Sequence, residues 1–320
     1  MIVRWGLEEL DPLLAELGIE RPYVVASERW ADLPLQATGR WTEVPSDRIA
    51  DIVDATAGAD GLIAVGGGSA IDLAKAVSAG TGLPLVSVPT TYSGSEWTAY
   101  FGIRDPDRRM RGGGAGAILA GIVYEPRLML DLPREQSGGT ALNALAHCAE
   151  ALYVEGHNPD GDRAALVGAS LIGEWLPRVL EDGHDLEGRT RLLEGAQRAG
   201  AALASAGLAL GHAMAQALGG RFGIAHGAAN ALCLPPALRF NEPVAAEEIA
   251  RFGGAVGAAD PAARVEELAR ASGFTRLRDL GVPEDELEEV AEAAAQRAGA
   301  KANPRSASPA EIAELLRGIW

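Results

Sequence analysis

The chain has 320 residues, 48% hydrophobic and 22% charged, too apolar for a disordered polymer and long enough for roughly two domains of about 150 residues. Its 28 Lys and Arg stand against 44 Asp and Glu, a net charge of −16. That balance argues against nonspecific attraction to nucleic acid or an anionic membrane, and any anionic ligand must be met by cations gathered locally.

The first 130 or so residues alternate helical patterns with short apolar runs. Leu7 to Leu17 reads as a helix, Tyr23 to Ala26 as a strand, Asp47 to Ala57 as a helix, Gly61 to Val65 as a strand, Ala70 to Ala79 as a helix and Leu85 to Pro89 as a strand. Strands that are apolar throughout, alternating with helices, predict a parallel sheet covered on both faces. The segment Arg108 to Gly114 is the most irregular and reads as a flap or a ligand contact.

Beyond Pro133 strand signals nearly vanish. Helices are expected near 138–156, 160–181, 187–205, 207–219, 227–240, 244–257, 260–272, 283–298 and 308–319. The fold class is therefore α/β plus all-α, with an α/β domain over 1–132 and a helical domain over 133–320, and a ligand is expected in the cleft between them. The N-terminus lacks the basic head and apolar run of a signal peptide, and no apolar stretch reaches about 18 residues. Cys148 and Cys233 form no CxxC pair, so a reduced, cytoplasmic setting is expected.

Two loops at the carboxyl ends of consecutive strands carry the first chemical signal. Gly66-Gly67-Gly68-Ser69 follows a strand and opens a helix that continues through Asp72 to Lys75. Glycines let a phosphate approach the backbone, and the free N–H groups at a helix start favour an anion. The spacing is not G-x-G-x-x-G, and on its own the run is equally a strand-to-helix turn. The second loop, Pro89 to Glu96, offers the hydroxyls of Thr90, Thr91, Ser93 and Ser95 at the edge where open α/β sheets bind ligands.

The second signal lies among the five histidines. Asn143 and His147 are four residues apart and project from one helix face, while His212 and His226 lie on later helices. An amide oxygen and three imidazoles could hold a divalent transition metal with one position open, although isolated histidines on apolar helices are more often packed core residues. His157 and His184 sit in polar turns and read as surface residues, and Cys148, turned about 100° from His147, as packing.

Taken together, Gly66-Gly67-Gly68-Ser69 with Asp72 and Lys75, Pro89-Thr90-Thr91 with Gly94-Ser95-Glu96, Asn143 and His147 with Glu150, His212 with Leu218-Gly219-Gly220, and His226-Gly227 before Asn230 resemble the iron-containing (group III) alcohol dehydrogenases. Val88 to Glu96, Ile122 to Pro126, Asn143 in place of an aspartate, and Asn303-Pro304-Arg305 are most similar to the maleylacetate reductase branch. The chain departs from that branch at Gly211 and Gln216, where histidines are usual, and 226–232 looks closer to the alcohol dehydrogenases.

The resemblance implies a dehydroquinate-synthase-like fold and a cytoplasmic oxidoreductase of aromatic compound catabolism, expected as a homodimer. NAD(P)H would be held by Gly66, Gly67, Gly68, Ser69, Asp72, Thr90, Thr91 and Ser95, and Fe2+ or Zn2+ by Asn143, His147, His212 and His226. Those histidines are also the expected catalytic groups, as metal ligands or as the acids of a metal-free polar pocket. The implied reaction adds hydride to a conjugated C=C of a small dicarboxylate, maleylacetate to 3-oxoadipate. Arg109 is then expected to meet the anionic substrate, with Arg111 and Arg305 as further cations. Ser27 after the first predicted strand, where an acidic residue would select NAD, predicts that NADPH is accepted. Alternatives are a metal-dependent alcohol dehydrogenase or aldehyde reductase of the same fold, a non-redox lyase or cyclase on the dehydroquinate-synthase scaffold, and a silent nucleotide-binding protein.

Overall fold

A computed structural model describes all residues, 1–320. Two compact units divide the chain, one of Met1–Thr91 with Ser95–Met129, the other of Tyr92–Gly94 with Leu130–Trp320.

The first unit is built on a six-stranded sheet of β1 (Ile2–Trp5), β2 (Pro22–Ala26), β3 (Gly39–Trp41), β4 (Gly61–Gly66), β5 (Pro84–Pro89) and β8 (Ile118–Tyr124), in the order β1-β8-β5-β4-β2-β3. Every pairing is parallel. Side-chain alternation sends Val24, Ile63, Val86 and Val88 to one face, where they pack with Leu10 and Leu13 of α1 (Leu10–Glu16). Val25, Leu62, Ala64 and Leu85 face the other way, onto Ile52 of α2 (Ile49–Ala55) and Ile71 and Val77 of α3 (Gly68–Thr81). Burial on both faces explains why β2, β4 and β5 carry no polar alternation.

Five of the eight strands go beyond the sequence reading of this unit, two of them around the 108–114 segment. That segment is not irregular: β6 (Phe101–Arg104) and β7 (Met110–Gly114) form an antiparallel hairpin in which Phe101 faces Gly114 and Gly102 faces Gly113. Glycine is required there, since a Cβ on Gly113 would lie 2.8 Å from the Phe101 carbonyl oxygen and one on Gly114 2.8 Å from the Phe101 ring. Low intrinsic strand propensity of glycine masks the hairpin in the sequence. The edge strands β1 and β3 are short and half-buried, and β8 takes its place between β1 and β5 through long-range pairing.

Lys75 ties α3 to the segment that precedes the hairpin. Buried at 1% exposure, its ammonium donates to the carbonyls of Ser95 (2.8 Å) and Tyr100 (2.7 Å) and pairs with Asp72 at 2.8 Å. Asp72 also accepts from the Ser95 hydroxyl (2.5 Å) and from Gly102 N (3.1 Å).

The second unit is all-helical: α4 (Arg134–Ala151), α5 (Pro159–Glu181), α6 (Leu186–Ala206), α7 (Leu210–Phe222), α8 (His226–Asn241), α9 (Ala246–Ala255), α10 (Pro261–Ala271), α11 (Leu287–Ala295), α12 (Ala298–Lys301) and α13 (Pro309–Gly318). α4 is buried along nearly its whole length, Ala141, Leu142, Ala144, Leu145, Ala146, Cys148 and Ala149 being fully enclosed. Small residues admit close neighbours, as where a Cβ on Gly168 of α5 would meet Cys148 Sγ at 2.8 Å. No single helix is long and apolar enough to cross a membrane.

Replacing Lys75 by Met keeps the volume and strands three acceptors. The Lys75→Met variant is expected to lose about 3 kcal/mol of unfolding free energy, measured by urea denaturation.

Candidate functional site

The first unit offers an anion cradle made of backbone. β4 ends at Gly66, with φ of +150°, where a Cβ would meet the Ala70 methyl at 2.7 Å and Ser27 Oγ at 3.1 Å. At Gly67 a Cβ would meet Thr91 Cγ2 at 2.8 Å. Gly67 is the N-cap of α3 and no side chain caps that end; Ala70 N and Ile71 N turn back to the Gly67 carbonyl, leaving the N–H groups of Gly68 and Ser69 for a ligand. Thr91 Oγ1 is buried without a protein partner. An uncapped helix start, two positions where only glycine fits and an orphaned hydroxyl suit the phosphates of a dinucleotide.

The other expected cofactor residues differ in role. Thr90 Oγ1 accepts from the Trp30 indole at 3.3 Å, and Thr90 N donates to the Gly66 carbonyl at 3.0 Å, tying the two loops together. The Asp72 carboxylate and the Ser95 hydroxyl are spent on each other and on Lys75 and Gly102, so they shape the loop rather than offer free groups. Glu96 is buried and accepts from the Tyr124 hydroxyl at 2.9 Å, with burial raising its pKa above the usual carboxylate value.

The second unit gathers the polar residues of α4, α7 and α8. Asn143 and His147, one turn apart on α4, are both 3% exposed. The His147 and His212 rings stack with centroids 4.7 Å apart and planes 13° from parallel, and the His226 ring lies 5.7 Å from that of His212. The segment Tyr92–Gly94 runs beside α4. Tyr92 N donates to Thr140 Oγ1 (3.3 Å), Asn143 Nδ2 donates to the Ser93 carbonyl (2.9 Å), and a Cβ on Gly94 would meet the His147 ring at 3.4 Å. Gly94 has φ of +74°, a further reason for glycine.

Two residues without an assigned role in the sequence reading organise this cluster. Glu150, fully buried, accepts from Ala209 N at 2.7 Å, from His212 N at 3.1 Å and from His212 Nδ1 at 2.7 Å. It thereby caps the start of α7 and fixes hydrogen on Nδ1 of His212, leaving a lone pair on Nε2. Asn230 Nδ2 donates to Asn143 Oδ1 (2.7 Å) and to His226 Nε2 (3.0 Å). A carboxylate three residues after a histidine in an otherwise apolar helix was the available signal for Glu150; Asn230, four residues after His226, had only that spacing.

Three buried polar atoms of the cluster lack protein partners: His147 Nδ1, His212 Nε2 and Asn230 Oδ1. Burial, and then the neighbouring His212 and His226, push the pKa of His147 well below that of free imidazole, so His147 stays neutral. His157 and His184 are exposed.

The expected cations separate. Arg111 pairs with Asp105 at 2.6 Å. Arg305 lies 3.8 Å from the Phe240 ring centroid, donates to the Phe240 carbonyl and pairs with Glu311, so it fastens α8 rather than meeting a ligand. Asn303 accepts from Leu210 N and Asn241 Nδ2 and is likewise structural. Arg109 is exposed on the hairpin; its backbone N donates to Asp105 Oδ1 and its carbonyl accepts from Asp105 N.

Residues 3–116 match the family model described as iron-containing alcohol dehydrogenase, and residues 138–320 its C-terminal counterpart, the Fe-containing alcohol dehydrogenase family, C-terminal. The chain belongs to the iron-containing alcohol dehydrogenase family. It is 34% identical over 330 residues to a maleylacetate reductase of Pseudomonas knackmussii, covering 98% of this chain and 93% of that one. The iron-containing alcohol dehydrogenase of Corynebacterium glutamicum superposes with a TM-score of 0.91 at 29% identity, covering 100% of this chain and 94% of that one. The maleylacetate reductase of Agrobacterium tumefaciens superposes with 0.88 at 28% identity, covering 100% and 95%. As a member of this family the chain is an NAD(P)-dependent oxidoreductase.

Iron gives the family its name, and Asn143, His147, His212 and His226, the residues that would hold an ion, are brought together here. An imidazole lone pair lies in its ring plane, so with the His147 and His212 rings stacked nearly parallel, one ring has to turn for both to reach one ion about 2.0–2.1 Å away. Asn143 Oδ1 and His226 Nε2 both accept from Asn230, and both oxygens of Glu150 are taken. No three His, Cys, Asp or Glu side chains converge on a common point.

A Gly66→Ala variant is expected to weaken NADPH binding at least about tenfold, the equivalent of roughly 1.4 kcal/mol of backbone strain and crowding, read by fluorescence titration. Glu150→Gln, which cannot satisfy all three donors, is expected to cost about 1.5–3 kcal/mol of stability in chemical denaturation.

Proposed function

We propose that the protein is a maleylacetate reductase-like enzyme that reduces the conjugated C=C of a small dicarboxylate with NAD(P)H, as in the conversion of maleylacetate to 3-oxoadipate. The observation that carries this reading is the amide–imidazole row of the second unit, in which His147 Nδ1 and His212 Nε2 stand buried without partners beside the paired amides of Asn143 and Asn230. Relatives named for that reaction, aligned over nearly the whole chain, support it.

When bound, NAD(P)H supplies the hydride, and Gly66, Gly67, Gly68, Ser69 and Thr91 are the residues that would hold it. Addition of hydride to an alkene conjugated with a ketone develops negative charge on the ketone oxygen, and the neighbouring carbon must then take a proton. A charge that develops in a dry site needs preorganised polar groups. His147, kept neutral by burial, can donate a hydrogen bond to that oxygen without bringing a charge of its own. His212 is the group that moves the proton: Glu150 holds its Nδ1 hydrogen, so exchange takes place at Nε2, and the carboxylate balances the ring when it is doubly protonated. Asn230, itself oriented by Asn143, holds the His226 ring through Nε2.

Arg109 meets a substrate carboxylate, since Arg111 and Arg305 are engaged by Asp105 and Glu311. The cofactor loops leave the 2′-position unopposed by acid at Ser27, so NADPH is accepted. We place the enzyme in the cytoplasm as a homodimer, in keeping with its acidic surface and reduced cysteines.

The test is a spectrophotometric assay of NADPH and NADH oxidation on maleylacetate and on small neutral aldehydes, with metal analysis of the purified protein. Turnover of maleylacetate that survives chelation is the expected result; turnover confined to aldehydes and restored by iron or zinc would replace this reading with that of a metal-dependent alcohol dehydrogenase. Arg109→Ala is expected to raise KM for the dicarboxylate roughly tenfold, the loss of about one charge-assisted contact, and to leave KM for a neutral aldehyde unchanged.

A further inference from the structure

Arg189, on the first turns of α6, is the largest fully enclosed side chain of the protein, at 1% exposure, and no carboxylate pairs with it. Its guanidinium is instead shared among neutral acceptors. Nε donates to the Gly183 carbonyl at 2.8 Å, one terminal nitrogen to the Tyr92 hydroxyl at 3.1 Å and Ser137 Oγ at 2.7 Å, and the other to the carbonyls of Leu132 at 3.0 Å and Leu130 at 3.4 Å. All its donor groups are satisfied, so it does not await a ligand.

Burying a cation without a counter-charge is expensive, and the arrangement implies a task that needs a rigid fork of donors. Of the acceptors, Tyr92 leads to the site. Its ring is fully enclosed, and it begins the segment Tyr92–Gly94 that lies along one stripe of α4: Tyr92 N on Thr140, the Ser93 carbonyl on Asn143, Gly94 against His147. The Ser93 carbonyl decides which end of the Asn143 amide faces which way, because a carbonyl can only accept. Once Nδ2 of Asn143 is committed to Ser93, its Oδ1 must face Asn230, whose Nδ2 then reaches His226 Nε2.

We propose that Arg189 is a positioning residue for the amide–imidazole row, acting through the Tyr92 hydroxyl and the Ser93 carbonyl to fix the orientation of Asn143 and thereby of Asn230 and His226. It rests on the proposed function only for its effect on catalysis; the geometry it sets is measurable without turnover.

The five histidines make the experiment selective. In protein labelled with 15N at the imidazoles, His147, His212 and His226 report on the row, while the exposed His157 and His184 are internal controls. Tyr92→Phe removes one oxygen and keeps the ring. It is expected to displace the His226 and His147 resonances, leave those of His157 and His184 in place, and lower kcat on the dicarboxylate roughly tenfold, as small misplacements do, with KM for NADPH unchanged. In an Asn143→Ala background the same substitution is expected to change kcat no further, since the two act in one chain of contacts. Arg189→Lys, which keeps the charge and loses the fork, is expected to follow Tyr92→Phe. Cluster resonances unmoved in Tyr92→Phe, or additive effects with Asn143→Ala, would overturn the proposal and leave Arg189 a purely structural residue. Absence of turnover on maleylacetate in the unsubstituted protein, with the resonances displaced as described, would instead count against the proposed reaction and leave the positioning role standing.

Discussion

The second unit depends on one carboxylate placed where a helix begins. α7 starts after Ala209 without a capping side chain of its own, in a region closed to water, and its first N–H groups would be stranded at several kcal/mol if nothing accepted from them. Glu150 of α4 and Asn303 near the C-terminus supply the acceptors. The helix dipole favours a negative charge at that point, and Glu150 uses its remaining capacity to hold the imidazole of His212. Structural necessity and chemical function thus meet in a single side chain: the group that lets α7 start inside the unit also sets the tautomer of the histidine two residues along it.

The two units present different kinds of polar group. In the first, the groups that matter are backbone N–H groups made accessible by Gly66 and Gly67, which suits phosphates, whose charge needs donors and tolerates no bulk. In the second they are side chains whose lone pairs and hydrogens are aimed by other side chains, which suits a reaction in which charge and a proton move. Neither arrangement requires a broadly positive surface, in keeping with a chain of net charge −16.

Much of this was legible in the sequence, for identifiable reasons. The alternation of apolar runs with helical patterns gave β2, β4 and β5, since buried parallel strands show themselves as continuous apolar segments, and the glycine run marked the tight passage from β4 into α3, where a Cβ at Gly66 or Gly67 has no room. The histidine row could be nominated because Asn143 and His147 share a helix face. What stayed hidden depended on pairing across long distances or on roles that residue type does not declare. β8 is an ordinary apolar run until it is seen to slot between β1 and β5, and the hairpin's glycines argue against a strand unless Phe101 is known to lie across them. Asp72 and Ser95 read as cofactor contacts because both sit in the right loops; in the fold they satisfy each other and Lys75. Arg305 reads as a free cation until Phe240 and Glu311 are seen around it.

The unpaired cation of Arg189 carries a consequence for how the helical unit assembles. Its acceptors come from four separate stretches: Tyr92, Leu130 with Leu132, Ser137, and Gly183. A partial set leaves charge in an apolar interior, which is worse than leaving the side chain in water. Intermediate arrangements with some of these stretches docked and others loose are therefore penalised, and the four have reason to come together as one cooperative step. The same arginine that holds a loop in the finished protein acts during folding as a check that several distant parts of the chain have arrived.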